Sequence, residues 1–312
     1  MDLDLLSLPP EILAKIFSNI PWDKLINIKL TSRKFNYVTD KYLKDMQKPK
    51  LHKIIFENDG TDRSRVAYTI IKTGMNLSLD DVSDEKEFFF SSSKPGQLHS
   101  FLQKVDLTSL NIVDIVLAND TRVIGIFSDY FCNTNIMEHV GVAVNGSEEN
   151  IGDTLSFLQK VQNVKSLGLQ FFFGYQSILR DLIVPVRNSL EVLDIFENEQ
   201  TLFVNSRMMG YIIENNPDLY KYNLSLSSFE TYKMVIEKIV NEEMSRRNSG
   251  CFHKSIYLQL VLFCEDTLSE LLSYFYSEEF PYNETTMRDE RIFYYGKLEC
   301  PVCGEIDSIE IS

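Results

Sequence analysis

Cysteine is scarce and odd in number, five in 312 residues. That excludes a disulfide framework and fits reduced thiols, so a cytoplasmic or nuclear location is expected. Long hydrophobic runs are missing too. The longest, residues 255–264, is broken by Gln259 and falls short of the ~20 residues of a membrane span. Met1-Asp2-Leu3-Asp4 opens the chain with acid, so no export signal is expected. Basic charge is in deficit: 31 Lys+Arg against 45 Asp+Glu leaves −14, which argues against nucleic acid as a partner. Only four histidines occur (His52, His99, His139, His253), none at metal-motif spacing from another, and the phosphate-cradling glycine motifs and Gly-x-Ser-x-Gly are absent. What remains is 44% hydrophobic and 24% charged, a globular composition with ample core.

The charge is unevenly spread. Residues 1–53 hold 10 basic and 6 acidic side chains, and the rest hold 21 and 39. The basic residues Arg33, Lys34, Lys41, Lys44, Lys48, Lys50 and Lys53 read as a solvated face on or just after one helix.

Leu8-Pro9-Pro10-Glu11 has the form of a helix start: proline needs no N–H partner in the first turn, and Glu11 faces the positive end of the dipole. Ile12, Ile16 and Ile20 then recur at helical spacing beside Leu13 and Phe17, until Pro21. A second short helix from Trp22-Asp23 carries Leu25, Ile28 and Leu30. Thr31-Ser32 offers a cap for a third, with Phe35, Val38, Tyr42 and Met46 on one side. Three such helices cannot bury all this surface among themselves, and each large apolar side chain left wet forgoes ~1.5–3 kcal/mol. Either the rest of the chain or a partner is expected to cover the excess.

Leu8-Pro9-Pro10-Glu11-Ile12-Leu13, Ile16-Phe17, Ile20-Pro21, Leu25, Leu30 and Ser32-Arg33 resemble the F-box motif. The resemblance implies a three-helix module, residues 1–47, docking on the Skp-type adaptor of a cullin–RING ubiquitin ligase. It implies adaptor-facing roles for Leu8, Pro9, Ile12, Leu13, Ile16 and Phe17, joined by Leu25 and Leu30.

Beyond Pro49 an apolar-x-x-apolar-x-apolar unit recurs, which lays alternate side chains on one strand face. It starts at Leu51, Ile112, Met137, Val164, Leu190 and Leu219, with a fainter copy at His253; from Ile112 the spacing is 25, 27, 26, 29 and 34 residues. Helical stretches are expected between, at 121–131, 151–162, 177–188, 204–215 and 229–247. The pattern resembles leucine-rich repeats in part: Asn145 and Asn198 stand eight residues after a first apolar position, but other copies lack that asparagine. The expected fold is therefore α/β, a small all-α F-box module followed by a leucine-rich-repeat-like α/β solenoid over 107–299; a divergent F-box-associated tail of solenoid type and an ordinary α/β domain with coincidentally even spacing are the alternatives. Residues 48–106 read as a linker with irregular first repeats and a long acidic loop from 74, with a degenerate strand at Leu77–Leu79. Residues 300–312 read as a tail.

If the strands line a concave sheet, its exposed residues are Asp114, His139, Gln170, Asp194, Phe196, Lys221, Asn223, Tyr257 and Gln259, a set suited to a protein surface and without a catalytic constellation. The acid excess favours a basic target. Cys300-Pro301-Val302-Cys303 has the shape of half a zinc site, with Cys251 and His253 as an irregular second pair; no other cofactor is indicated. The expected function is substrate recognition in an SCF-type ligase: a non-catalytic receptor that holds the adaptor by its F-box and an unidentified target protein by its solenoid, with no membrane partner. A scaffold that holds the adaptor without delivering a target for degradation is the alternative.

Overall fold

The computed structural model describes residues 5–72, 82–91, 93–118, 121–146, 151–173, 181–198, 200–248, 255–262, 265–278, 280–285, 292–300 and 302–312. Three helices come first: α1 (Pro10–Phe17), α2 (Trp22–Thr31) and α3 (Arg33–Lys41). Pro10 sits in the first turn of α1, and the Ser32 hydroxyl caps α3 by accepting from Phe35 N. Leu13, Ala14 and Phe17 meet Leu25, Val38 and Met46 in a small core of their own. The Phe17 and Phe35 rings stand edge to face, 5.2 Å apart.

The rest builds one 12-stranded sheet. β1 (Leu51–Asp59) is flanked on one side by the antiparallel β2 (Arg63–Ile70) and β3 (Lys86–Ser91), and on the other by the parallel β4 (Ile112–Ala118). Then β5 (Met137–Asn145), β6 (Val164–Phe172), β7 (Val192–Glu197), β8 (Lys221–Ser225) and β9 (Tyr257–Leu260) follow, each parallel to and beside its predecessor. β12 (Ile306–Ile311) pairs parallel with β9. β11 (Tyr294–Glu299) and β10 (Asn283–Glu284) finish the order antiparallel.

Alternation decides which face is buried. Val113, Val140, Leu167, Leu193, Tyr222 and Leu258 stand in one cross-strand row, and all are buried. They face the apolar sides of α4 (Gly96–Gln103), α5 (Arg122–Tyr130), α6 (Ile151–Leu158), α7 (Ser206–Asn215), α8 (Phe229–Asn248) and α9 (Glu265–Phe275). On α8 the buried positions Tyr232, Val235, Ile236, Ile239 and Val240 keep strict helical spacing. The helices thus cover one face, and among the described residues no element layers the other.

Several expectations need correction. The segment expected as a helix at 177–188 is not helical over its described part, 181–188; Val184 and Val186 are buried on either side of Pro185, whose ring and missing N–H disfavour a helix interior. Leu77–Leu79 lies outside the described residues. The acidic loop ends early, because Phe88-Phe89-Phe90 pairs as β3 and residues 96–103 form α4. No break in the sheet falls at residue 107, since β1 joins β4 directly. Residues 306–311, expected in a tail, are a strand with Ile309 and Ile311 fully buried. The asparagines that tie neighbouring strand units together lie before strands rather than at the consensus place. Asn216 Oδ1 accepts from Ser189 N and Leu190 N, and Asn133 Oδ1 accepts from Gln162 N and Asn163 N. Asn198 instead closes a local turn on Gln200 and Thr201, and Asn145 is the exposed end of β5.

Candidate functional site

The uncovered sheet face is read in rows across the strands. One row runs Ile112, His139, Ser166, Val192, Lys221, Tyr257; the next Asp114, Gly141, Gly168, Asp194, Asn223, Gln259; the third Val116, Ala143, Gln170, Phe196, Ser225. All nine residues expected on the exposed side are here, and each is half-buried.

Two glycines side by side lower the floor. His139 lies across them: its Nε2 is 3.2 Å from Asp114 Oδ1 and its Nδ1 3.0 Å from Ser166 Oγ. A Cβ on Gly141 would stand 2.7 Å from Asp114 Oδ1 and 2.9 Å from His139 Nε2, so this glycine makes room for the pair. The glycine row, Ala143 and the walls on β4, β7 and β8 enclose a trough of about 370 Å³. On the far wall the Asn223 amide donates to Asp194 Oδ1. The Phe196 and Phe172 rings lie tilted to one another with centroids 5.6 Å apart.

Serine, histidine and carboxylate in line evoke nucleophilic catalysis, but the surroundings differ from that chemistry. An acyl-transfer site needs paired N–H donors aimed at a developing oxyanion. Here β5 and β6 are central strands whose backbone groups are engaged in the parallel ladder on both sides. The arrangement orients the imidazole between the carboxylate and the hydroxyl.

The rim towards β3 is internally paired. The Arg65 guanidinium lies 2.6 Å from Glu57, 2.6 Å from Glu87 and 3.3 Å from Glu85, and hydrogen bonds to Glu57 and Glu87 raise its pKa above the usual guanidinium value. Lys53 also reaches Glu85, at 3.3 Å. Lys221 sits 5.9 Å from the Tyr257 ring, whose hydroxyl donates to Glu310 at 2.8 Å. Burial, helped by that bond, pushes the Tyr257 phenol up to about 12. At the end of β7, Glu197 is 3% exposed and accepts from Phe203 N (2.7 Å), Val204 N (2.8 Å) and Ser227 Oγ (2.8 Å). It is a structural clamp on two loops, and nothing in the local sequence distinguishes it from a surface glutamate.

The helical module presents the opposite kind of surface. One stripe of α1 fills the module core, while Ile12 (47% exposed) and Ile16 (39%) lie side by side at i, i+4 outside it. On α2, Ile26 and Leu30 repeat that spacing, exposed by 50% and 82%. Leu5 and Leu6 are exposed ahead of α1, where Lys34 Nζ ties Leu6 O (2.6 Å) and Leu8 O (2.8 Å) to α3. Tyr42 donates to Glu11 at 3.0 Å, which clasps the two ends together.

Residues 5–43 match the F-box-like family model. No curated protein matches the chain. Within this F-box-like domain the expected adaptor-facing residues divide in two. Leu13, Phe17 and Leu25 sit in the domain's own core, 0–5% exposed, because they share the stripe that faces α3; they are corrected from surface to core. Pro9, Ile12, Ile16 and Leu30 are exposed, and Leu8 is half-buried against the core edge. Ile26, Leu5 and Leu6 were not singled out from sequence, although Ile26 precedes Leu30 by one helical turn.

The two-cysteine segment belongs to the turn between β11 and β12. Gly304, at φ +76°, returns its N–H to Cys300 O, a backbone conformation that favours glycine. Cys300 is buried and Cys303 exposed. Among the described residues no three metal-ligating side chains gather; Cys251 and His253 lie outside them. Also among the described residues, no helix is long and apolar enough to cross a membrane.

Proposed function

We propose that this chain is a substrate-recognition subunit of an SCF-type (cullin–RING) ubiquitin ligase. The F-box-like domain holds a Skp-type adaptor, and through it a cullin. The sheet body, a divergent leucine-rich-repeat-like solenoid over residues 107–299, offers its uncovered face to a target protein. The chain performs no bond chemistry. It raises the rate of ubiquitin transfer by holding target and ligase in one assembly, which makes the encounter effectively intramolecular.

The observation that carries this reading is the outward placement of Ile12 and Ile16 on a domain that matches the F-box-like family. A small module gains by burying them only against a second molecule, at ~25 cal/mol per Å² of apolar surface covered. Leu8, Pro9 and Leu30 extend that adaptor-facing set, and Leu13, Phe17 and Leu25 shape it from beneath. The body's even repeat and its uncovered polar face support the target-binding half.

The test is adaptor pull-down with Ile12→Asp and Ile16→Asp in the full chain. Capture is lost while the thermal unfolding midpoint is held; capture unchanged in both variants overturns the docking assignment.

A further inference from the structure

We propose that the trough over Gly168 recognises a short target segment carrying a lysine or arginine next to an apolar residue, with Asp194 as the acid that receives the basic head. This rests on the sheet face being the target surface and names the chemistry of what it takes.

The trough has two parallel tracks. One runs Asp114, Gly141, Gly168, Asp194 and the other Val116, Ala143, Gln170, Phe196, residue opposite residue across four strands. Four strands put the two carboxylates roughly 14 Å apart at the backbone, so one cation cannot serve both. They are also not equivalent. Asp114 already has His139 at 3.2 Å, whereas Asp194 is held by the neutral Asn223 amide, and among the described residues no basic side chain pairs with it. Other cations of the sheet have partners of their own: Lys165 is paired with Glu138, Arg65 and Lys53 with glutamates, and Lys221 lies by Tyr257.

An incoming cation at Asp194 gains a charge-assisted hydrogen bond beside the apolar floor. On the second track Val116 is 50% exposed, and Phe196 borders the opposite side, so an apolar neighbour of the basic residue finds cover there. The floor stays open because both central residues are glycine. A Cβ on Gly168 meets nothing nearer than Gly141 Cα at 3.7 Å and His139 at 3.9 Å, so the position tolerates a side chain that would fill the trough. Phosphate-bearing partners are disfavoured by the same carboxylates.

The test is selection of a random displayed peptide library on the purified full chain, followed by sequencing of the retained pool. Wild type enriches arginine or lysine beside an apolar residue about tenfold over input, the size of one charge-assisted contact. Asp194→Asn removes the basic preference. Gly168→Val fills the floor and removes retention, with the unfolding midpoint held because valine suits a strand. Asp129→Asn, on the helix side, changes nothing. No enrichment, enrichment of acidic or purely apolar peptides, or a basic preference that survives both trough variants each overturns the proposal. Adaptor capture on the same preparations separates the two readings. Capture without the predicted peptide preference sinks the trough alone, and the preference without capture sinks the ligase reading alone.

Discussion

The two ends of the molecule expose opposite kinds of residue. In the helical domain, six side chains make a core just large enough to fix three helices, and three isoleucines and three leucines are left exposed. In the body, a core running from Leu51 to Ile311 absorbs the apolar residues of one strand face, and the uncovered face shows carboxylates, amides and glycines among apolar residues such as Val116 and Phe196. A small module has too little interior to take in every apolar side chain of three helices. A large sheet takes most of its apolar side chains inside, so its open face carries charge beside a few apolar residues such as Val116. One surface is apolar and the other mixes charge, amide and glycine with a few apolar side chains.

That contrast can be broken at four points. The largest effect should come from the body core. Phe127 packs against Phe56, Phe131 and Phe157 with ring centroids 5.0–5.7 Å apart. Phe127→Ala should cost about 3–5 kcal/mol in chemical denaturation. A loss below about 1 kcal/mol would mean that this core is not continuous.

Tyr232 comes next. It is fully buried on α8; its oxygen accepts from Leu226 N and its hydroxyl donates to Val261 O, both at 2.8 Å. Burial pushes its phenol up to about 12 from 10.0. Above pH 10 the unfolded chain gives up this proton while the folded chain keeps it. Stability should therefore fall as pH rises from about 10 and level off above about 12, by about 2–3 kcal/mol from this residue. Tyr257 adds in the same direction. Denaturation curves across that range should be flatter for Tyr232→Phe; identical slopes would remove the assignment.

Glu197→Gln keeps one acceptor for Phe203 N and Val204 N but weakens the charge-assisted set, a loss of about 1–2 kcal/mol that hydrogen exchange should localise to residues 200–204 and 226–228. Smallest of all, Ile12→Ser should leave stability within about 0.5 kcal/mol, as an exposed position does. Its partner Phe17→Ala, one turn on but inward, should destabilise the domain. Equal effects of the two would erase the distinction between core and docking stripe.

How much of this was readable follows from range. Strand positions announce their face by alternation, so Asp114, His139, Asp194 and Asn223 are found on the open side from spacing alone. Helix stripes announce a core but not which half of a wide stripe goes inward; Leu13 and Ile12 are neighbours in sequence and end on opposite sides. Cross-strand register is invisible in one sequence. Gly141 and Gly168 are 27 residues apart, and only the β5–β6 pairing makes them one floor and sets Ser166 against His139. β12 escaped because its partner strand β9 lies about 50 residues earlier and its Asp307 looks like a surface acid. It is fully buried, receiving Ile256 N at 2.8 Å.

That last seam has a consequence for how the protein is made. A ribosome that has delivered everything through residue 262 has built β4 to β9 in order, yet the outer edge of β9 stays bare until Ile306–Ile311 emerges. Newly synthesised chains must therefore pass through an interval with an unpaired, apolar strand margin. A premature stop in that stretch would leave a molecule whose helical domain is complete but whose margin invites aggregation.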